Sequence, residues 1–544
     1  MTSDDKGSMA DGPARADCAA DGPALSPPKR RMWIGLCCCV LLYGALFGTL
    51  RVQRMRTFFS FEWEDEALHV QVMWNLVHGR GFVQTLWPQP HELHLRPALL
   101  LLAPFCAPYP HIETQYYLFS LLIGAGAVPV FFWARQIFKD DNAGLLAVLG
   151  WLLYPPIHFI TWASLDTVTL AAPLICLAFY AVERRRLVVF HVSLLLIVAC
   201  KENLAATALL LGVYAGLRKR DARWWAPYLV IAPIYLLVAT LVVFPTWASS
   251  RSFVPASGMV TSLSRLREID ANPMFALAKL ATLNGKWQAL LMVFGPVLFL
   301  GLLRPVYLMG GLACAFQVWL LRNPLGPAQG HHITPLATVA FLASIAAIGR
   351  IQNRGSRWRQ PRILLAVLLI ALVAGNLVPN RIGAVNPVAV FDEERANATN
   401  IFDPVYYRMQ QSDPAAWRVL RRLPARVSVA ATGHLLPWIA GRPFVASFPP
   451  KHGGADVLEK VEYILADKRL KKAGAGNYPS HKNDPRENAR ILEEAKRFAL
   501  RTERYELVAE DGPCYLLRRL PGRVTPKRPS LRNAADREDT RRLF

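Results

Sequence analysis

The nine cysteines of this 544-residue chain form no recognisable site. No two of them have the spacing of metal ligands, and no disulfide framework is visible. Cys37, Cys38 and Cys39 lie together within one apolar run, and most of the others lie in or beside further apolar runs. The pattern favours small apolar side chains within helices over a metal or redox site.

The chain also lacks the motifs that accompany a strong positive charge in nucleic-acid-binding proteins. Its 62 Lys and Arg residues outnumber 39 Asp and Glu residues, which gives a net charge of +23. The basic residues lie mostly in short links between apolar runs, at 29–31, 184–186, 218–220 and 350–362. This distribution is typical of the cytoplasmic loops of a membrane protein. We therefore expect membrane lipids, and no nucleic acid, as partners.

Long apolar runs stand in place of these motifs. Hydrophobic residues make up 53% of the chain, and a run of about 18 apolar residues is long enough to cross the hydrocarbon core of a bilayer. We predict an α-helical polytopic membrane protein with about eleven transmembrane helices. The predicted spans lie near residues 33–50, 113–134, 143–158, 166–182, 187–201, 203–217, 225–244, 285–303, 306–321, 332–349 and 362–378.

The charge of the links predicts the orientation of the chain. If the basic links face the cytoplasm, the N-terminus lies inside and the C-terminal part lies outside. We expect a multi-pass protein of the bacterial inner (plasma) membrane. The predicted parts are a disordered cytoplasmic N-terminus (1–32), a transmembrane domain (33–378) with outer loops at 51–112 and 245–284, an extracytoplasmic domain (379–520) and a disordered basic tail (521–544).

The C-terminal part differs in character from the spans. Charge rises after residue 378, long apolar runs stop, and short strand patterns alternate with a helical one. This alternation predicts a small α/β domain. Strands are predicted at 426–430, 463–466, 504–508 and 515–517, and an amphipathic helix at 485–502.

The first outer loop contains the strongest candidate for catalysis. Glu64, Asp65 and Glu66 follow the first span directly, at the expected membrane surface. A carboxylate at this boundary can act as a general base toward a hydroxyl group. On a helix, Asp65 and His69 would share one face. The alternative is a solvated acidic helix start, since carboxylates also stabilise the N-terminal end of a helix.

Further polar residues lie at the outer ends of spans. His94 and Arg96 open a short apolar segment, where Arg96 could hold a phosphate or could anchor the chain at the interface. Lys201 and Glu202 interrupt two apolar runs, either as functional charges or as a self-paired turn.

The paired histidines His331 and His332 precede the tenth predicted span, and Asp166 is a further partner candidate. Two adjacent histidines alone are weak evidence for a metal, because a site needs more ligands. These constellations all fall on the outer side of the predicted topology, which indicates one shared extracytoplasmic pocket.

At these motifs the chain resembles the bacterial predicted membrane proteins of DUF2079, a domain of unknown function. The resemblance runs from about residue 55 to residue 520. The shared pattern is an acidic residue, Gln-x-x-Trp-x-x-x-x-Gly, His-x-x-Pro, a Lys-Glu pair and a late histidine pair. The matching residues are Asp65, Gln71, Trp74, Gly79, His94, Pro97, Lys201, Glu202, His331 and His332.

That family resembles in turn the GT-C glycosyltransferases, which carry a catalytic carboxylate in the first outer loop and use polyprenyl-phosphate sugars as donors. The resemblance implies Asp65 as the catalytic base, with Glu64 or Glu66 as stand-ins. It also suggests that Arg96, Lys201 and His332 could steady the lipid phosphate as it leaves. A substrate-binding or phosphate-binding role is expected for a wider set of residues. These are Gln71, Trp74, His94, Arg96, Lys201, Glu202, His331 and His332.

Two departures from the family pattern concern the same region. Asn203 stands where the family has an aspartate, and the family's Phe-His-Pro-acidic stretch reads Ser164-Leu165-Asp166-Thr167 here, without its histidine. The resemblance implies no definite cofactor, and a divalent metal is the one candidate.

The function expected from the resemblance is transfer of a sugar from a lipid-linked donor to an acceptor on the outer face. Two alternatives are a transporter or lipid flippase, and a non-catalytic membrane assembly protein. A transporter would be expected to have broken spans and polar residues at mid-membrane.

Overall fold

The computed structural model describes most of the helical region and most of the C-terminal domain. The described residues are 27–59, 63–86, 94–163, 165–247, 286–316, 331–353, 360–377, 401–449, 460–468, 492–493, 496–497, 500 and 504–520. Within the predicted tails, 1–32 and 521–544, only residues 27–32 are described. Nearly all of the outer loop 245–284 lies outside the described residues.

The described part of the chain is mostly helical. The helices before the first large gap are α1 (Arg30–Arg56), α2 (Trp63–Val77), α3 (Ala98–Cys106), α4 (Ile112–Gly124), α5 (Ala127–Phe138), α6 (Asp141–Leu152), α7 (Pro155–Ala163), α8 (Ala171–Glu183), α9 (Leu187–Cys200), α10 (Leu204–Lys219), α11 (Ala226–Val238) and α12 (Phe244–Trp247). Those that follow are α13 (Lys286–Phe294), α14 (Met309–Phe316), α15 (Thr334–Asn353), α16 (Pro361–Leu377), α17 (Asp413–Leu420) and α18 (Leu436–Ile439).

Short 3-10 helices and one π-helical segment connect several of these helices. The 3-10 helices are Thr167–Leu170, Ala222–Trp224, Leu300–Leu303, Pro305–Leu308, Pro404–Tyr406 and Gly433–Leu435, and the π-helical segment is Ala239–Val243.

The helices confirm a multi-pass membrane protein. Each predicted span overlaps helical residues at least in part. Among the described residues, four helical stretches are long and apolar enough to cross a membrane, or five if a bent pair is one span. The four are Arg30–Arg56, Ile112–Phe138, Ala222–Thr246 and His331–Asn353. The predicted number of eleven spans is therefore not confirmed, because several of the apolar helices are short.

Glycines allow α1 and α4 to pack closely. A Cβ atom on Gly48 would lie 2.2 Å from the Tyr117 ring, and one on Gly44 would lie 3.0 Å from the Leu121 backbone. Close approach through small residues is a common way for membrane helices to associate, because lipid and side chains are equally apolar. Thr49 Oγ1 and the Tyr117 hydroxyl add a hydrogen bond of 3.0 Å across the same contact.

The chain bends by 48° between α6 and α7, at a break that interrupts an apolar stretch. Freed backbone carbonyls at such a break need donors, since lipid supplies none. Asn376 Nδ2, on α16, donates to the Leu153 carbonyl at 2.7 Å, and a ring nitrogen of His158 contacts the Leu152 carbonyl. The break is thus satisfied by side chains of α7 and α16.

The C-terminal part contains the predicted α/β domain. Its mixed five-stranded sheet has the order β2-β1-β3-β5-β4, with β1 parallel to both β2 and β3, and β5 antiparallel to β3 and β4. The strands are β1 (Val429–Ala431), β2 (Val445–Ser447), β3 (Tyr463–Asp467), β4 (Tyr505–Asp511) and β5 (Cys514–Arg519).

Four of these strands overlap predicted ones, and β2 was not predicted. Strand β2 has three residues, too few to show an alternating pattern. The predicted helix at 485–502 lies mostly outside the described residues, although the positions described within it are helical.

The α/β domain packs on the end of the first span. Trp438 Nε1 donates to the Met55 carbonyl at 3.0 Å, and Trp417 Nε1 donates to the Arg56 carbonyl at 2.9 Å. The last carbonyls of a helix have no partner within the helix, so these indole groups satisfy the end of α1. This contact places the domain next to the start of α2, where Trp63 lies against Gly433.

Candidate functional site

The buried carboxylate of Asp166 is the centre of a polar cluster. One oxygen, Oδ2, lies 3.2 Å from Lys201 Nζ, 3.5 Å from an Arg96 nitrogen and 3.7 Å from His331 Nε2. All four side chains are at least nine-tenths buried. Residues from four distant parts of the sequence thus meet at one carboxylate oxygen.

Each member of the cluster lies at the end of an apolar helical element. Asp166 caps the 3-10 turn that leads into α8, and its Oδ1 accepts from the Val168 amide at 2.8 Å. Lys201 follows α9 with an extended backbone, Arg96 comes just before α3, and His331 precedes α15. The helix ends that carry Arg96, Lys201 and His331 therefore converge. Asp65, which the shared-pocket prediction also includes, lies exposed at the start of α2.

Opposite charges meet in the Asp166 cluster. Arg96 and Lys201 bring two cationic side chains to the single carboxylate of Asp166. Burial of charge is costly, and a carboxylate that faces two cations compensates only part of their charge. The nearby carboxylate of Glu202 adds a second negative charge that interacts with Lys201, so two cations and two carboxylates stand together in this region. The arrangement also differs from a simple interfacial anchor, because Arg96 points to a buried acid.

A second pair joins half-buried His94 to buried Glu202. His94 Nδ1 lies 2.8 Å from Glu202 Oε1, and the Leu95 amide donates to Glu202 Oε2 at 3.1 Å. Lys201 and Glu202 therefore pair with different residues and do not form a self-paired turn. The Glu202 carboxylate holds both the ring of His94 and the backbone that follows it.

Burial and charge set the ionisation of this pair. Burial, together with the nearby charge of Lys201, lowers the pKa of His94 to about 4. Burial alone would raise the pKa of Glu202, but the interaction with His94 and the charge of Lys201 hold that pKa below its usual value. At neutral pH the pair consists of a neutral imidazole and a carboxylate.

Helix α2 reaches the cluster through His69, which the sequence analysis did not include among the site residues. Arg96 lies 3.3 Å from His69 Nδ1, and burial and then the Arg96 charge lower the pKa of His69 to about 3. A neutral His69 can accept from Arg96 and so orient it. The available sequence signal was the spacing of four residues from Asp65, which places both side chains on one face of α2.

The three acidic residues at the start of α2 have different environments. Glu66 is buried, 3.1 Å from Arg54 and 2.9 Å from the Tyr116 hydroxyl, so its carboxylate joins α2 to α1 and α4. Glu64 is half-buried and Asp65 is exposed. Of the three, Asp65 is the most accessible to a substrate, and its catalytic role stays a prediction.

Most of the chain matches one protein family. The profile of the predicted membrane protein family DUF2079 matches residues 64–512. The chain belongs to this family. Its matched region begins within α2 and includes every member of the Asp166 cluster. No curated protein matches the DUF2079 chain significantly.

Two solved structures of sugar-transferring enzymes are similar in outline. ArnT from Cupriavidus metallidurans bound to undecaprenyl phosphate is 11% identical, with a TM-score of 0.48, over 92% of this chain and 100% of that one. The Archaeoglobus fulgidus oligosaccharyltransferase complex with Zn and sulfate is 13% identical, with a TM-score of 0.39, over 79% and 68%. Both likenesses are weak, and neither establishes an activity for the DUF2079 chain.

Gln71 and Trp74 of the DUF2079 pattern lie near the α/β domain. Gln71 donates to Thr85 Oγ1 at 2.8 Å and contacts the Arg442 carbonyl at 3.4 Å, which places it at the boundary with the α/β domain. Trp74 stacks on His78 near Gly441 of that domain. The substrate-binding role predicted for Gln71 and Trp74 stays a prediction.

The histidine pair is divided between two contacts. His331 faces Asp166, whereas the His332 ring lies beside the His331 ring, with centroids 3.9 Å apart. The His332 carbonyl accepts from Cys314 Sγ at 2.7 Å. Within the part of the chain that the structure describes, no three His, Cys, Asp or Glu side chains form a group that could hold a metal ion.

Proposed function

We propose that this protein is a membrane glycosyltransferase that moves a sugar from a polyprenyl-phosphate donor to an acceptor on the extracytoplasmic face. The observation that carries the proposal is the meeting of Arg96 and Lys201 at Asp166, with His331 beside them. These residues stand at the ends of apolar helices, where a lipid phosphate would lie. The transfer reaction is the one that the family resemblance implies.

The cationic side chains act on the leaving group. When the bond between the sugar C1 and the phosphate oxygen breaks, negative charge grows on the phosphate. Fixed donors that already point at this position stabilise the transition state without reorganisation. Asp166 and His69 hold the two cations in place, since Asp166 accepts a hydrogen bond from Lys201 and forms an ion pair with Arg96, and His69 contacts Arg96.

The exposed carboxylate of Asp65 takes the proton of the acceptor. Asp65 lies one helical turn before His69 on α2, about 6 Å along the helix axis. Because His69 contacts Arg96, Asp65 is one turn away from the phosphate-binding cluster. As the acceptor oxygen forms its bond to the sugar C1, its proton passes to the Asp65 carboxylate, and the polyprenyl phosphate leaves.

Substitution of Asp65 tests this assignment. We expect Asp65→Asn to abolish sugar transfer and to leave membrane insertion intact, because an amide cannot accept the proton. The measurement is the glycan and lipid-linked sugar content of the envelope in a strain that depends on the variant. Glu113→Gln is the matched control, since Glu113 is a partly exposed carboxylate that pairs with exposed Arg56. Product formation by Asp65→Asn at the wild-type level contradicts the assignment.

One observation favours a second candidate function, a lipid flippase. The bend between α6 and α7 is the kind of broken span that transporters contain. A flippase would move a fluorescent polyprenyl phosphate across reconstituted vesicles, and Asp65→Asn would not affect that movement. A transferase would release polyprenyl phosphate from its sugar, and Asp65→Asn would prevent it.

A further inference from the structure

His94 is the most accessible of the polar side chains in and beside the Asp166 cluster. Its side chain is 24% exposed, whereas those of Glu202, Asp166, Arg96, Lys201 and His331 are at most 8% exposed. Only one ring nitrogen, Nδ1, is engaged, through the hydrogen bond to Glu202. The other nitrogen, Nε2, has no hydrogen-bonding partner among the described residues and is not buried. Among the described residues, the ring therefore leaves Nε2 accessible at the edge of the site.

The pairing with Glu202 determines which nitrogen carries the proton. A carboxylate can only accept, so Nδ1 of His94 must donate to it. In a neutral imidazole the other nitrogen then has a lone pair and accepts hydrogen bonds. Lys201 is adjacent in sequence to Glu202, and its positive charge opposes protonation of the ring. His94 is thus held as a hydrogen-bond acceptor that faces outward.

This polarity does not suit a phosphate. The oxygens of an ionised phosphate accept hydrogen bonds and repel a lone pair, whereas a hydroxyl group donates one. The cluster accordingly has two chemically distinct parts. Arg96 and Lys201 present donors and positive charge, and His94 presents an acceptor beside them.

We propose that His94, oriented by Glu202, binds a sugar hydroxyl by accepting its hydrogen bond at Nε2, and so does not bind the lipid phosphate. This inference rests on the proposed function, and it narrows the substrate-binding or phosphate-binding role expected for His94 to the binding of a sugar. The hydroxyl belongs either to the donor sugar or to the acceptor. In both cases His94 selects for a sugar and Arg96 with Lys201 for the phosphate.

Binding measurements separate these roles. The protein, in lipid nanodiscs, is titrated with bare undecaprenyl phosphate, with a panel of undecaprenyl-phosphate hexoses and pentoses, and with free mono- and oligosaccharides. We expect His94→Ala to weaken binding of at least one sugar-bearing lipid roughly tenfold, the effect of losing one hydrogen bond of about 1.4 kcal/mol. Its affinity for the bare lipid should match the wild type. Lys201→Met should weaken binding of both the bare and the sugar-bearing lipid.

A second substitution tests the hydrogen bond itself. His94→Gln keeps an acceptor oxygen on a side chain of similar reach, so it should retain more affinity for the sugar than His94→Ala does. Normal binding of the bare lipid by either variant shows that the protein is folded. A loss confined to the free sugars supports the inference and assigns the hydroxyl to the acceptor.

Other outcomes overturn the inference. If His94→Ala weakens binding of the bare lipid as much as binding of the sugar-bearing lipid, His94 is a phosphate ligand. If the variant binds both lipids and all the free sugars as tightly as the wild type does, His94 does not bind a hydroxyl. The proposed function fails separately: a wild-type protein that binds free sugars through His94 but no polyprenyl phosphate keeps the hydroxyl site and loses the transferase.

Discussion

At the scale of single residues, Asp166 determines the character of the site. Its carboxylate faces Arg96 and Lys201 in a buried environment and stabilises both. Removal of one partner from a buried ion pair typically costs about 3–5 kcal/mol, because the other charges stay buried. Asp166 therefore contributes to stability through the same contacts by which, in the proposed function, it positions the phosphate-binding cations.

The variant Asp166→Asn should be markedly less stable than the wild type, by about 3 kcal/mol. Added polyprenyl phosphate should restore more stability to the variant than it adds to the wild type, because the lipid phosphate supplies the missing negative charge. The measurement is thermal unfolding with and without the lipid. The matched control is Asp140→Asn, whose partner Arg362 is 55% exposed, and its effect should stay below about 1 kcal/mol. Equal stabilisation of wild type and Asp166→Asn by the lipid would argue against an anion site.

At the scale of secondary structure, the short apolar helices depend on specific contacts. Helix α1 lies against α4 because its glycines leave room for the Tyr117 ring and the Leu121 backbone. The buried Arg54 near the end of α1 then reaches Glu66 of α2. The position of α2, and with it of Asp65, follows from how closely α1 and α4 approach.

Substitution of Gly48 by alanine should separate α1 from α4. The new Cβ would lie 2.2 Å from the Tyr117 ring, so the ring must move and its hydrogen bond to Thr49 must break. We expect a loss of about 1–3 kcal/mol in unfolding free energy. Gly35→Ala is a close control on the same helix, because no atom lies within 4 Å of its added Cβ. Thermal unfolding in detergent measures both, and a neutral Gly48→Ala would show that close packing is not required there.

At the scale of the whole molecule, the α/β domain is attached to the helices beside the site. Thr85, in the segment after α2, bonds through one hydroxyl to both the amide and the carbonyl of Val445 on the edge strand β2, at 2.8 and 2.7 Å. The same hydroxyl also accepts from Gln71 on α2. Thr85 thus connects the sheet edge to the helix that carries Asp65 and His69.

Replacement of Thr85 by valine should loosen the domain without a change in side-chain volume. Valine removes the hydroxyl and leaves the Val445 amide and carbonyl without that partner, at a cost of about 1–3 kcal/mol. Hydrogen exchange at Val445 and its neighbours in β2 should become faster, while exchange in β5 stays slow. Thr246→Val, which removes only a local bond to the Val243 carbonyl, should change neither. Unchanged exchange at Val445 in the Thr85 variant would show that the domain is held by other contacts.

Much of the helical architecture was predictable from composition, and the tertiary contacts were not. Apolar runs identify helices because a helix satisfies its own backbone within lipid. The residues that stabilise a bend between helices give no comparable signal. Asn376 donates to the Leu153 carbonyl at the α6–α7 bend, although the two residues lie more than two hundred positions apart in the chain. The number of spans stayed unconfirmed for the same reason, since the length of each apolar helix depends on its neighbours.

The candidate site was predicted in part. Arg96, Lys201 and His331 were expected to share a pocket because charges at the ends of apolar runs are costly and usually functional. Their meeting point, Asp166, was only a partner candidate, and His69 was absent from the predicted set. Both are single polar residues among apolar neighbours, and nothing local indicates which distant side chain each will face.

The sequence by itself determined that this is a multi-pass membrane protein with polar residues at its helix ends and a mixed α/β domain after them. Hydropathy and charge are properties of local segments, so they can be interpreted without knowledge of the fold. Only the tertiary structure decided that Arg96 and Lys201 share one carboxylate, and that His94 pairs with Glu202. Those pairings depend on how the helices pack, because each joins residues that lie far apart in the chain.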